Sequence, residues 1–164
     1  MAMVHIVPYA TDIGLSVTAA ATVLTTIGLV GTAARVGLGF SGDHFGLKTM
    51  ILISFGALAL AYFGLASTHS VWMLYSFGIV YGCFSGIGVL LAPMVAELFG
   101  FKALGVIVGA LVMANSIGGA ISPPLAGAIF DMTGSYEAAF IVSGLLGLVS
   151  LFLMFLLKRP SRAS

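Results

Sequence analysis

Long apolar runs broken by short polar stretches set the pattern of this chain. A hydrocarbon core about 30 Å thick needs roughly 20 mostly apolar residues per crossing helix. Five runs meet that length, at residues 17–40, 49–66, 71–96, 104–129 and 138–157. The breaks between them read TDIGLS, SGDHFGLK, STHS, ELFGFKA and DMTGSYEA. The opening MAMVHIVPYA, residues 1–10, is also apolar but too short to cross, and is expected to be the end of a further span whose start is missing. Residues 158–164 form a polar tail. The pattern predicts an all-α, multi-pass bundle of five full spans and part of a sixth.

Composition agrees. With 60% hydrophobic residues, 7% charged residues and a mean hydropathy of +1.21, the chain lacks the polar surface to coat a water-soluble globule. A net charge of +1 with scattered basic residues gives no footprint for nucleic acid. Cys83 is the only cysteine, which excludes an internal disulfide and any site built from several thiolates. No paired carboxylates, metal-ligand cluster or nucleophile–base pair falls at membrane depth, so neither an enzyme nor a cofactor or metal site is expected. The start of the chain has no basic segment leading to a small-residue cleavage site, so no cleavable signal peptide is read there.

Basic residues also set an orientation, because cytoplasmic loops hold the excess of lysine and arginine. Arg35 and Lys48 flank one break, Lys102 lies in the break two spans later, and Lys158, Arg159 and Arg162 follow the last span. All fall on one side, which predicts a cytoplasmic C-terminus in a plasma (inner) membrane. Trp72 and Tyr75 at one outer span end, with Tyr136 and Phe140 at another, are expected in the aromatic belts.

An internal repeat adds topology. Gly31, Gly39, Asp43 and Gly46 recur as Gly119, Gly127, Asp131 and Gly134, all displaced by 88 positions, a shift that covers three spans. An odd number of spans inverts orientation, as in an inverted three-plus-three repeat within a six-helix half.

The stretch GFSGDHFGLK, with Gly39, Asp43, Gly46 and Lys48, resembles the loop signature of the major facilitator superfamily. VHIVPYATDIGLS, YGCFSGIGVLLAPMVAELFG and SIGGAISPPLAGAIFDMTGSYEAAF resemble helices seven, ten and eleven, with their adjoining loops, in the bacterial branch of monocarboxylate transporters and oxalate–formate antiporters. The likeness covers essentially the whole chain and implies the C-terminal half of a twelve-helix carrier. Its partner would be the absent N-terminal six-helix half or a second copy of the chain. His44 and Leu47 stand where the signature usually has arginine or lysine. The likeness further implies that Gly39, Asp43, Gly46 and Lys48 gate the carrier by holding one access state together; on physical grounds alone, Asp43 can accept bonds from a neighbouring helix start or pair with Lys48, or the loop is a solvated turn.

Arg35 precedes Asp43 by eight residues, so at 1.5 Å per residue it lies about 12 Å inside that helix end. A guanidinium at such depth costs roughly 2.5 to 3.5 kcal/mol on insertion scales, and usually faces a wet cavity or a partner. Its planar fork suits a carboxylate, and the resemblance assigns the same role to an arginine at this place. Snorkelling to the headgroups is the other reading of Arg35. Asn115 is also near mid-depth, where an oxalate carrier resembling this chain has a lysine; a single cation favours a monocarboxylate, while an asparagine can equally tie two helices together. Gly31 replaces the aspartate of proton-coupled relatives, so proton coupling does not carry over. Tyr81, Ser85 and His5, with Tyr9, are candidate cavity residues, with packing as the alternative for each.

Gly78, Gly82 and Gly86, and Gly105 with Gly109, are spaced for close helix contact, which places their spans inside the bundle. The spans at 49–66 and 138–157 are nearly free of polar groups and are expected to face lipid. Gly118, Gly119, Pro123 and Pro124 are expected to interrupt their span as a hinge. The function read from this is transport of a small organic anion across a lipid bilayer. A non-transporting membrane subunit, an inactive remnant, or a multidrug or sugar carrier of the same fold remain alternatives.

Overall fold

The computed structural model describes residues 2–12, 14–67 and 70–157. His69 and the tail carrying Lys158, Arg159 and Arg162 lie outside the described residues. Among the described residues seven helices follow in order: α1 Ala2–Asp12, α2 Val17–Phe45, α3 Leu47–Ser67, α4 Val71–Ser85, α5 Gly88–Phe99, α6 Leu104–Thr133 and α7 Glu137–Leu156. Taking α4 and α5 as one crossing, five are long and apolar enough to span a membrane. The turns at Gly46 and 100–103 and the end of α7 share one end of the bundle, called the basic end here after Lys48 and Lys102; the connections at 14–16 and 134–136 lie at the opposite end.

Helix boundaries follow local chemistry. The Ser16 hydroxyl caps α2 by accepting from Ala19 N–H at 3.2 Å. At its other end α2 overruns the apolar span by more than a turn and takes in most of SGDHFGLK. Only Gly46, at φ 90°, separates it from α3, and its N–H bonds Gly42 O at 3.0 Å. Nothing in 41–45 stops a helix, whereas a positive φ, open to glycine, does. The repeat partner behaves alike: α6 ends on Gly134 at φ 67°, its N–H on Phe130 O at 2.7 Å. The two copies of the repeat thus cap helices of 29 and 30 residues at opposite ends of the bundle.

Two predicted elements differ. The run at 71–96 is broken at Gly86–Ile87, where Val89 N–H bonds Gly86 O and Leu90 N–H bonds Ile87 O in tight three-residue steps. Conversely, α6 passes unbroken through Pro123 and Pro124; a helix can carry prolines when its neighbours resettle the carbonyls they free.

Packing centres on α2, α3 and α4. A Cβ on Gly82 would lie 3.0 Å from Val30 Cβ and 3.1 Å from Ile27 O, and one on Gly78 3.4 Å from Val23 Cγ1. The glycine ladder of α4 therefore lets its backbone ride on α2. Gly144 and Gly147 of α7 do the same against Phe63 and Ala59 of α3. The 49–66 span is not confined to the lipid surface: α3 meets α2, α4, α5 and α7, and buries Ile51, Ser54, Ala59 and Leu65. Tyr136 and Phe140 leave the expected belt as well. Both are buried in a core with Ile6, Tyr9, Leu74 and Phe77, because α1 brings its aromatic side against the start of α7. Trp72, near the same end, is exposed. Gly105 and Gly109 pack on nothing, and α6 buries only Ala126 among its described residues.

Candidate functional site

The stem of Arg35 on α2 lies against Gly86, at the break between α4 and α5. A Cβ on Gly86 would meet Arg35 Cγ at 2.9 Å and Leu38 Cδ1 at 3.4 Å, so the absence of a side chain there makes room for the arginine stem. The residue is otherwise exposed, and its guanidinium has no acidic partner among the described residues.

Two cavities lie among α3 to α7, one of them at this break. One, of about 520 Å³, extends toward the basic end and is lined by Ser85, Ile87 and Gly88 together with residues of α3 and α6. The other, of about 490 Å³, extends toward the opposite end between α6 and α7, with Ser122 and Ser143 on its wall. Tyr62, Tyr81 and Asn115 line both. Tyr62 and Tyr81 meet edge to face, with ring centroids 6.3 Å apart and planes at 84°. Phe77 stacks on Tyr81 at 5.3 Å and Tyr62 meets Phe77 edge-on at 5.5 Å, which fixes both phenols.

The structure thus brings together Tyr81, Ser85 and Asn115, and sets Arg35 one residue away through Gly86. His5 is elsewhere. Its Nε2 lies 3.1 Å from Pro123 O and its Nδ1 3.3 Å from the Tyr136 hydroxyl. Because a carbonyl only accepts, Nε2 carries the hydrogen and donates to Pro123 O, while Nδ1 pairs with the Tyr136 hydroxyl. The imidazole therefore ties α1, α6 and the start of α7 together.

Gly39, Asp43, Gly46 and Lys48 are near one another in sequence but do different things. Lys48 Nζ donates to Phe155 O at 3.0 Å and Leu157 O at 2.6 Å, and lies 5.9 Å from the Phe155 ring centroid. It caps α7 instead of pairing with Asp43. Asp43 is exposed in the last turn of α2, and Gly39 faces open space.

Tyr62 is the site residue that sequence reasoning missed. It sits in ILISFGALALAYFGLA, whose lack of charge masked it; as the only tyrosine in that run, it was the available signal.

Membrane-length helices that end on glycines at opposite ends of the bundle, with an arginine inside one span and cavities among the others, define an all-helical, multi-pass membrane fold. The chain belongs to the Major Facilitator Superfamily, whose family profile matches residues 1–164. It is similar to monocarboxylate transporter 12 of Homo sapiens, at 32% identity over 86% of this chain and 28% of that protein. The Rattus norvegicus protein of the same name is 31% identical over 97% of this chain and 34% of its own length. Human monocarboxylate transporter 11 is 31% identical over 95% and 35%. The chain spans about a third of the length of these curated relatives. It is a multi-pass membrane protein of a transporter family, not of an enzyme family.

Proposed function

We propose that this chain is the C-terminal bundle, residues 1–157 with a cytoplasmic tail at 158–164, of a carrier that moves a small organic anion of the monocarboxylate class across a plasma membrane. Its basic end faces the cytoplasm. A second six-helix bundle, an N-terminal half or a second copy, completes the path, and rocking of one against the other alternates access. The reading rests on Arg35: a guanidinium deep in an apolar helix, held over Gly86 and lacking an acidic partner among the described residues. A carboxylate supplies what it lacks, through two parallel charged hydrogen bonds. Tyr81, Ser85 and Asn115 contact the rest of the substrate, and His5 stands at the outer entrance. The Gly39–Asp43–Gly46–Lys48 turn holds the inward end together and gates it. The names of the relatives support the substrate class, and the likeness to oxalate–formate antiporters supports exchange as the mode.

Uptake of radiolabelled lactate by the full-length carrier in proteoliposomes tests this. Arg35→Ala should lower kcat/KM by about two orders of magnitude, the usual penalty for removing one partner of a desolvated charge pair, and Arg35→Lys should recover part of it. Undiminished uptake by Arg35→Ala would sink the reading.

A further inference from the structure

Between α3 and α4 runs a cleft of about 400 Å³. On α4 the face bearing Gly78 and Gly82 is taken up by α2, and on α3 the face bearing Ala59 and Phe63 is taken up by α7. The cleft uses neither face. Leu60 at its mouth is 72% exposed, and both helices belong to spans of membrane-crossing length, so hydrocarbon and not water lies over it. Its occupant is therefore a component of the bilayer.

The walls set the shape of that component. Ala57, Ala61 and Gly64 follow one another at steps of four and three along α3 and leave a floor free of long side chains. Opposite them stand Phe77 and Phe84, with Val80 between. Phe77 is itself braced, with Tyr62 edge-on at 5.5 Å and Tyr81 stacked at 5.3 Å, and a β-branched valine has few rotamers. Stiff walls suit a stiff guest. A fused ring system arrives with no torsions to freeze, whereas an acyl chain has to give up rotamers to lie in the same space.

A single hydroxyl gives the guest a direction. Ser76 lies on the cleft wall, and its Oγ–H donates to Trp72 O at 3.0 Å. With that hydrogen committed, the oxygen offers lone pairs and can only accept from a further partner. Phospholipid esters accept and do not donate; a lipid alcohol donates. Ser76 is five residues into α4, about 8 Å from the helix start, and Phe84 is eight residues further, about 12 Å deeper. A guest bonded to Ser76 thus points its hydroxyl toward the near membrane surface and its rings toward the midplane, as an amphipathic alcohol sits in a leaflet.

We propose that the cleft between α3 and α4 binds a rigid polycyclic lipid alcohol of the sterol kind, its hydroxyl on Ser76 and its rings between Phe77, Phe84 and the small residues of α3. The site is separate from Arg35 and does not depend on which solute the carrier moves.

The test uses the full-length carrier in phosphatidylcholine nanodiscs, labelled with a cholesterol analogue that carries a diazirine on its ring system and mapped by peptide mass spectrometry. Adducts should saturate, concentrate on residues 57–64 and 73–84, and be competed by cholesterol. The epimer of cholesterol with an inverted hydroxyl should compete about five- to tenfold less well, the worth of one hydrogen bond. Ser76→Ala should weaken competition by cholesterol by the same factor and erase the difference between epimers. Ala57→Phe should fill the cleft and abolish these adducts while melting without sterol stays as in wild type; if that variant fails to fold, the epimer comparison in wild type and Ser76→Ala decides alone. Adducts spread evenly over the exposed sides of α6 and α7, or equal competition by the two epimers in wild type, would overturn the proposal. So would labelling of the cleft by a photoreactive phosphatidylcholine that cholesterol fails to displace, since the occupant would then be an acyl chain.

Discussion

Single residues decide how close the helices come. On α4, Gly82 faces the backbone of α2, since its missing Cβ would lie 3.1 Å from Ile27 O and 3.0 Å from Val30 Cβ. Gly82→Ala should destabilise the bundle by about 1 to 3 kcal/mol, the usual cost of overpacking, visible as a lower melting temperature in detergent. Gly86→Ala meets mainly the flexible Arg35 stem and should change the melt far less. Its effect should appear in transport, as a raised KM for the anion, because the new methyl displaces the guanidinium. A large drop in melting temperature for Gly86→Ala with unchanged KM would contradict this division of roles. Spacing alone disclosed the ladder Gly78, Gly82, Gly86, because close helix approach in lipid requires small residues at that period. It did not disclose that Arg35 is the residue Gly86 accommodates, since that depends on the register between α2 and α4, which no local pattern encodes.

At the level of elements, the limits of legibility have a common cause. The apolar runs mark where lipid is, and a helix need not stop there: α2 continues to Phe45 until Gly46 adopts a positive φ. The repeat was legible because both copies place that glycine at the helix end, at Gly46 and Gly134. By contrast, the enclosed position of α3 was hidden. Helices buried in protein and helices bathed in lipid are both apolar, and only the polar groups of Ser54 and Tyr62 hinted at the difference. The end of α7 shows how a polar residue serves an element other than its own. Lys48, in the first turn of α3, donates to the carbonyls of Phe155 and Leu157, groups that a helix C-terminus leaves unpaired. A cation there also opposes the negative end of the helix dipole, worth about 0.3 to 1 kcal/mol. Lys48→Met should therefore lower bundle stability by about that amount and increase hydrogen exchange in the last turn of α7, with Lys48→Arg restoring protection. Protection unaltered in Lys48→Met would mean the cap carries no weight.

For the whole molecule, the distribution of glycines separates faces packed on other helices from faces that are open in this chain. Gly78, Gly82, Gly144 and Gly147 press on other helices, whereas Gly28 and Gly39 of α2 and Gly105 and Gly109 of α6 have nothing within 4 Å. Glycine inside a helix is unfavourable by roughly 0.5 to 1 kcal/mol relative to alanine, and these four gain no contact within the chain in return. The two helices that carry them, α2 and α6, are the capped partners of the inverted repeat. A second bundle docking on both faces would use the cleared space, which lipid tails would not require. Leucine at Gly39 or Gly109 should accordingly leave the melting of this bundle unchanged or slightly raised, since the position is open and leucine favours helix. In the full-length carrier the same substitutions should cut anion uptake at least tenfold, because the added side chain holds the halves apart in one access state. If uptake survives leucine at both positions, α2 and α6 face lipid there, and the docking arrangement has to be sought on another side of the bundle.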